Sequence, residues 1–128
     1  MTKLSIAIVT LWAENVVQAA HFYRDVIGLP LSAHHGMTPH FKLANAILVI
    51  QPGETRSRDA YRKTRFPEFA IRVDDLDQYV QRLEVHSVEL PWGVESRPGS
   101  RWVQFFDPAG NLIELVEYDD KNRRASSG

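Results

Sequence analysis

The sequence predicts an α+β fold built from two βαβββ modules. Two amphipathic helices carry the same buried stripe, Val16, Ala19, Ala20 and Tyr23 in one and Leu76, Tyr79, Val80 and Leu83 in the other, each at i, i+3, i+4 and i+7. Each helix follows one short apolar run and precedes three. The halves also register on one another. Ala13 matches Val73, Val16 matches Leu76 and Gln18 matches Gln78 at an offset of 60, while segments 44–51 and 110–117 match at an offset of 66. A repeat of this size reads as two copies of one unit that bury their faces against each other.

Residues 5–11 are a continuous apolar run, the pattern of a strand buried on both faces. Glu14 and Asn15 offer helix-start chemistry for a helix over 15–27, which Gly28 and Pro30 end. Strands are expected over 31–33, 40–44 and 46–50. The polar connector that follows, 53–65, sets Arg56, Arg58, Arg62, Lys63 and Arg65 against Glu54 and Asp59 and reads as a solvated linker. A strand over 67–73 leads to Asp74 and Asp75, which begin the second helix, 75–83. Strands over 87–90, 101–106 and 112–118 complete the second module. The last two flank Asp107-Pro108-Ala109-Gly110-Asn111, in which proline presets one φ angle and glycine supplies a φ that other residues avoid. The expected organisation is one domain over 1–120, with module one at 4–52, the connector at 53–66, module two at 67–118 and a polar, disordered tail at 121–128.

Composition narrows the function classes. At 128 residues the chain is long enough for a real core, and an apolar fraction of 44% with 24% charged residues is ordinary for a globular protein. A net charge of -1 gives no reason to expect nucleic acid or an anionic membrane as partner. The absence of cysteine rules out a disulfide framework or a thiolate metal site. The apolar run near the N-terminus is short, meets Glu14 at once and lacks a small-residue cleavage site, and no stretch is long enough to span a membrane. The chain is therefore expected to be cytoplasmic.

The final strand raises the question of chemistry. Leu112, Glu114 and Val116 share one face, and Ile113 and Leu115 the other. A carboxylate in the middle of such a strand needs water, a partner or a metal.

The phrases HFYRDVIGLPL, FAIRVDDLDQYVQRL and FFDPAGNLIELVE, in this order and spacing, resemble the vicinal oxygen chelate superfamily of glyoxalase I, bleomycin and fosfomycin resistance proteins and extradiol dioxygenases. The resemblance spans about residues 4–118 and is nearest in character to the small, metal-free, bleomycin-resistance-like members. It implies paired βαβββ modules forming a curved mixed sheet around a cavity, usually in a homodimer. It also implies metal-ligand positions on the first and last strands of each module, which here are Ile8, Leu48, Glu68 and Glu114. Ile8 and Leu48 cannot bind a metal, and two glutamates fall short of the three or four ligands such a site needs. The expectation is that no metal or other cofactor is held, the alternative being a divalent metal at Glu68 and Glu114.

Alternation from the glutamates places Ile8, Thr10, Trp12 and Arg72 on the cavity wall, and the resemblance adds Trp102 and Gln104. Aromatic faces beside carboxylates suit a planar or cationic ligand. His34, His35 and His40 cluster in HHGMTPH, next to a strand, but match no standard ligand spacing. Two readings stay open. One is a binding protein that sequesters an aromatic, cationic compound. The other is a lyase, isomerase or dioxygenase using Glu114 and Glu68 as acid, base or metal ligands.

Overall fold

The computed structural model describes residues 3–35, 38–56 and 58–119. Module one runs β1 (Ile8–Ala13), α1 (Val16–His21), β2 (Leu31–His35), β3 (Thr38–Lys42) and β4 (Ile47–Pro52). Between α1 and β2 the same helix continues as a wider, π-wound turn over Phe22–Ile27. A short helix α2 (Arg58–Thr64) occupies the connector. Module two runs β5 (Phe69–Arg72), α3 (Leu76–Val85), β6 (Glu95–Arg97), β7 (Ser100–Phe106) and β8 (Leu112–Tyr118). The expected tail, 121–128, lies outside the described residues.

Each module forms one four-stranded mixed sheet, in the orders β1-β4-β3-β2 and β5-β8-β7-β6. The first strand pairs parallel with the last, and the remaining pairs are antiparallel. The helices begin alike. Asn15 Oδ1 accepts from Gln18 N at 3.0 Å, and Asp75 Oδ1 accepts from Gln78 N at 3.3 Å, each satisfying an amide that the helix start leaves orphaned. These caps, sixty residues apart, fix the first half of the repeat as the sequence predicts.

One core runs through both modules. Leu11, Ala13, Ala19, Tyr23 and Leu48 of module one pack into one cluster with Leu76, Leu83, Phe105, Ile113 and Leu115 of module two. The ring of Phe22 meets Tyr23 edge-on at 5.3 Å and Phe105 at 6.0 Å, so the π-wound turn carries aromatic packing across the module boundary.

Four expectations need correction. The strand expected at 87–90 does not form. Val88 N instead bonds Leu83 O and Ser87 takes φ +58°, because the chain there closes the end of α3, and the next strand is Glu95–Arg97. The connector is not a solvated linker, since α2 buries Tyr61 to 2% exposure against module two. The first strand is not buried on both faces. It lies at the edge of its sheet, with Leu11 and Ala13 buried under the helices while Ile8 and Trp12 stay 58% and 48% exposed.

The fourth correction concerns register. The turn Asp107–Asn111 closes with Asp107 N on Asn111 O, and its counterpart closes with Leu43 N on Ala46 O, so the second turn is one residue longer. Gly110, at φ +94°, takes up the extra residue. The last strands therefore match at an offset of 65 rather than 66. Leu48 pairs with Phe41 as Ile113 pairs with Phe105, and all four are fully buried. Val49, not Leu48, is the counterpart of Glu114. A one-residue slip turns every side chain of a strand to the other face.

Candidate functional site

The face of each sheet turned away from α1 and α3 is its open face. On sheet one the parallel register puts Ile8 beside Ile47, Thr10 beside Val49 and Trp12 beside Gln51. On sheet two, Ala70 lies beside Glu114, which lies beside Gln104, while Trp102 lies beside Val116. Glu68, one step before Phe69, bonds through its amide to Leu112 O and falls on the same face as Ala70.

Between the modules, β1 and the start of β5 border a cavity of about 250 Å³, lined among others by Thr10, Trp12, Arg56, Tyr61, Glu68 and Asn111. Three of the expected site residues, Thr10, Trp12 and Glu68, meet here. Trp12 is pressed against the chain where β4 ends. A Cβ added to Gly53 would lie 2.6 Å from Trp12 Cε3, so only glycine lets the backbone approach the ring this closely. Asn111 ties the floor together, donating from Nδ2 to Trp12 O at 3.0 Å. Tyr61 forms the opposite wall and donates its hydroxyl to Glu68 Oε1. Burial pushes the Tyr61 phenol well above its ordinary pKa, and the bond to Glu68 adds to the rise.

Glu114 belongs to a neighbouring cluster. Gln104 Nε2 donates to Glu114 Oε1 at 3.1 Å and to Arg65 O at 3.1 Å. Burial raises the Glu114 carboxyl above its usual range, and the Gln104 bond opposes that rise. Trp102 is half-buried on the same face, with Arg97 stacked 5.4 Å from its ring.

The remaining expected residues fall elsewhere. Leu48 lies in the core and faces no cavity, for the register reason given above. Ile8 is on the open face of sheet one, where it contributes exposed apolar surface. Arg72 stacks on Tyr118 at 5.2 Å and lines a separate groove of about 710 Å³ with Lys42 and Asn45. His40 sits on β3 opposite Val49, whereas the side chains of His34 and His35 lie outside the described residues.

Tyr61, Arg56 and Arg65 were not among the expected site residues. The one available signal was Tyr61 itself, a single aromatic residue in an otherwise polar connector.

The donor set bears on the metal that the fold family implies. Among the described residues, no three His, Asp or Glu side chains converge where they could hold an ion. Glu68 accepts from Tyr61 and Glu114 from Gln104, and the residues that match them on the first and last strands of sheet one, Ile8 and Val49, carry no ligand atom. These residues do not fit a divalent metal site. Among the described residues, no helix is long and apolar enough to cross a membrane.

The profile of the Glyoxalase/Bleomycin resistance protein/Dioxygenase superfamily matches residues 5–115. Among solved structures, TnmS3, an antibiotic binding protein from Streptomyces sp. CB03234, superposes with a TM-score of 0.73 at 24% identity, over 93% of this chain and 99% of that one. A lactoylglutathione lyase from Agrobacterium tumefaciens gives 0.71 at 22% identity, over 91% and 95%. A glyoxalase/bleomycin resistance protein/dioxygenase from Alicyclobacillus acidocaldarius gives 0.74 at 17% identity, over 92% and 94%. A search of curated proteins returns no significant match. At these identities the structural matches speak for the fold, which they share across a binding protein and a lyase.

Proposed function

The chain belongs to the Glyoxalase/Bleomycin resistance protein/Dioxygenase superfamily, and we propose that within it this protein binds a small aromatic, cationic molecule in the cavity between its modules. The observation that carries the reading is the convergence of Trp12, Tyr61 and Glu68 on that cavity. Trp12, 48% exposed, offers a ring face to a planar ligand, the buried Tyr61 closes the wall behind it, and the carboxylate between them suits a positive charge. Glu68 accepts from Tyr61 through one oxygen and keeps further acceptor capacity. The cavity is smaller than the roughly 300–1,000 Å³ of drug-sized sites, so it holds one ring system rather than a large ligand. A protein of the same fold, TnmS3, is an antibiotic binding protein, which supports a binding role for this fold. We further read the protein as cytoplasmic and homodimeric, the exposed Leu4, Ile6 and Ile8 offering apolar surface to a second copy. A monomer in light scattering at micromolar concentration would count against the dimer.

The test is a titration of basic planar aromatics against tryptophan fluorescence. Quenching is expected, with Glu68→Gln weakening a cationic compound about tenfold and its neutral analogue hardly at all, the difference expected for losing one charge-assisted bond. No quenching across the panel, or equal weakening of both compounds, would remove this reading.

Glu114 supports a second reading, catalysis by an acid or base, because burial holds its carboxyl closer to neutral pH than an exposed glutamate. Turnover abolished by Glu114→Gln, but not by Glu68→Gln, would favour it.

A further inference from the structure

The open face of module two carries an arrangement that the cavity between the modules does not use. Arg65, just past α2, has φ +55°, a left-handed backbone that a non-glycine residue holds only when its surroundings fix it. Its guanidinium is gripped by three side chains. The carbon centre lies 4.1 Å from the Trp92 ring centroid. Nη2 pairs with Glu95, and Nε and Nη2 donate to Gln104 Oε1 at 3.3 and 3.0 Å. Gln104 is only 5% exposed, and its amide nitrogen is spent on Arg65 O and Glu114, which leaves its oxygen aimed at the cation. An aromatic face, a carboxylate and an oriented amide oxygen together form a socket for a planar cation, and a compact ammonium would not reproduce the forked contact.

We propose that the open face of module two is a binding site for small molecules bearing a guanidinium or amidinium group, which the protein keeps filled with its own Arg65. An outside ligand enters by displacing Arg65, and this loosens residues 58–65 from the sheet. The site is distinct from the Trp12–Glu68 cavity, and the proposal stands whether or not that cavity binds a ligand.

Arg65→Gly empties the socket and suits the left-handed backbone. Methylguanidinium, well below denaturing concentration, is titrated into this variant and into wild type, with neutral methylurea as the near-isosteric control. The variant is expected to show a saturable fluorescence change with a midpoint about tenfold lower than wild type, because the occupant no longer competes. The change is lost when Trp92→Phe is added, and methylurea produces none. In wild type the same cation speeds cleavage after Lys63 by a lysine-specific protease. An equal response to methylurea, a response that survives Trp92→Phe, or no response overturns the proposal. If the variant does not fold, the wild-type assay decides alone, and cleavage unchanged by methylguanidinium overturns it.

Discussion

The turns at 43–46 and 107–111 occupy equivalent places in the two modules, yet only the second is locked to the opposite module. Asp107 accepts from Tyr23 Oη at 2.6 Å, from Asn111 Nδ2 at 3.0 Å, and from the amides of Ala109 and Asn111. Asn111 passes the connection on to β1, and Thr55 of the connector donates to Ala109 O at 2.7 Å. Asn45, in the first turn, is exposed and, among the described residues, makes no such bond. A groove of about 710 Å³ opens beside it. The open faces differ in the same sense. Sheet two is covered by α2 and the residue after it, through Tyr61 on Phe106 and Arg65 on Gln104, while sheet one leaves Ile8 and Trp12 about half exposed. A duplicated fold has thus been closed on one side and left open on the other, and the difference comes from one extra turn residue and the connector.

The sharpest test of this asymmetry is the lock itself. Asp107→Ala leaves the Tyr23 hydroxyl and the turn amides without an acceptor inside the protein. It is expected to lower stability by about 3 kcal/mol in denaturant unfolding, whereas Asn45→Ala changes it by less than about 0.5 kcal/mol. Similar losses for both would mean that the turns are equivalent after all.

Register is tested by a neighbouring pair. Leu48→Ala is expected to cost about 3 kcal/mol, as a core deletion does, and Val49→Ala about 1 kcal/mol. The reverse order would place Leu48 on the open face and restore an offset of 66.

Gly53→Ala drives a methyl group into Trp12 and is expected to cost about 1–2 kcal/mol, with a shift in tryptophan emission. An unshifted spectrum would mean that Trp12 does not rest on this backbone.

The smallest effect belongs to Glu114. Its folded pKa lies above the unfolded value because burial disfavours the charge. Ionising it therefore costs stability above the folded pKa, and that cost vanishes below the ordinary glutamate range. Glu114→Gln should be slightly more stable than wild type at neutral pH and equal to it in acid. A Tm difference that instead grows toward acid would contradict the burial of this carboxylate.

The local level was legible in the sequence. Asn15 and Asp75 cap the helices they were expected to start, the helix stripes form the core, and Asp107–Asn111 turns between two strands. These features rest on periodicity and on bonds spanning a few residues, which the order of residues alone encodes. Thr10, Trp12 and Glu68 were also legible as one group, because strand alternation and the offset of 60 carry their face without reference to anything distant.

What only the tertiary structure decided was the match of the last strands and the place of the connector. Whether Leu48 or Val49 lies on the open-face side of the sheet depends on how many residues the turns hold, and the shared Asn45 and Asn111 disguised that difference. Arg65 looked like one more solvated charge because its partners, Glu95 and Gln104, lie 30 and 39 residues away in sequence. No local pattern marks a contact of that span, since only the folding of β6 and β7 beside one another gives the guanidinium something to hold.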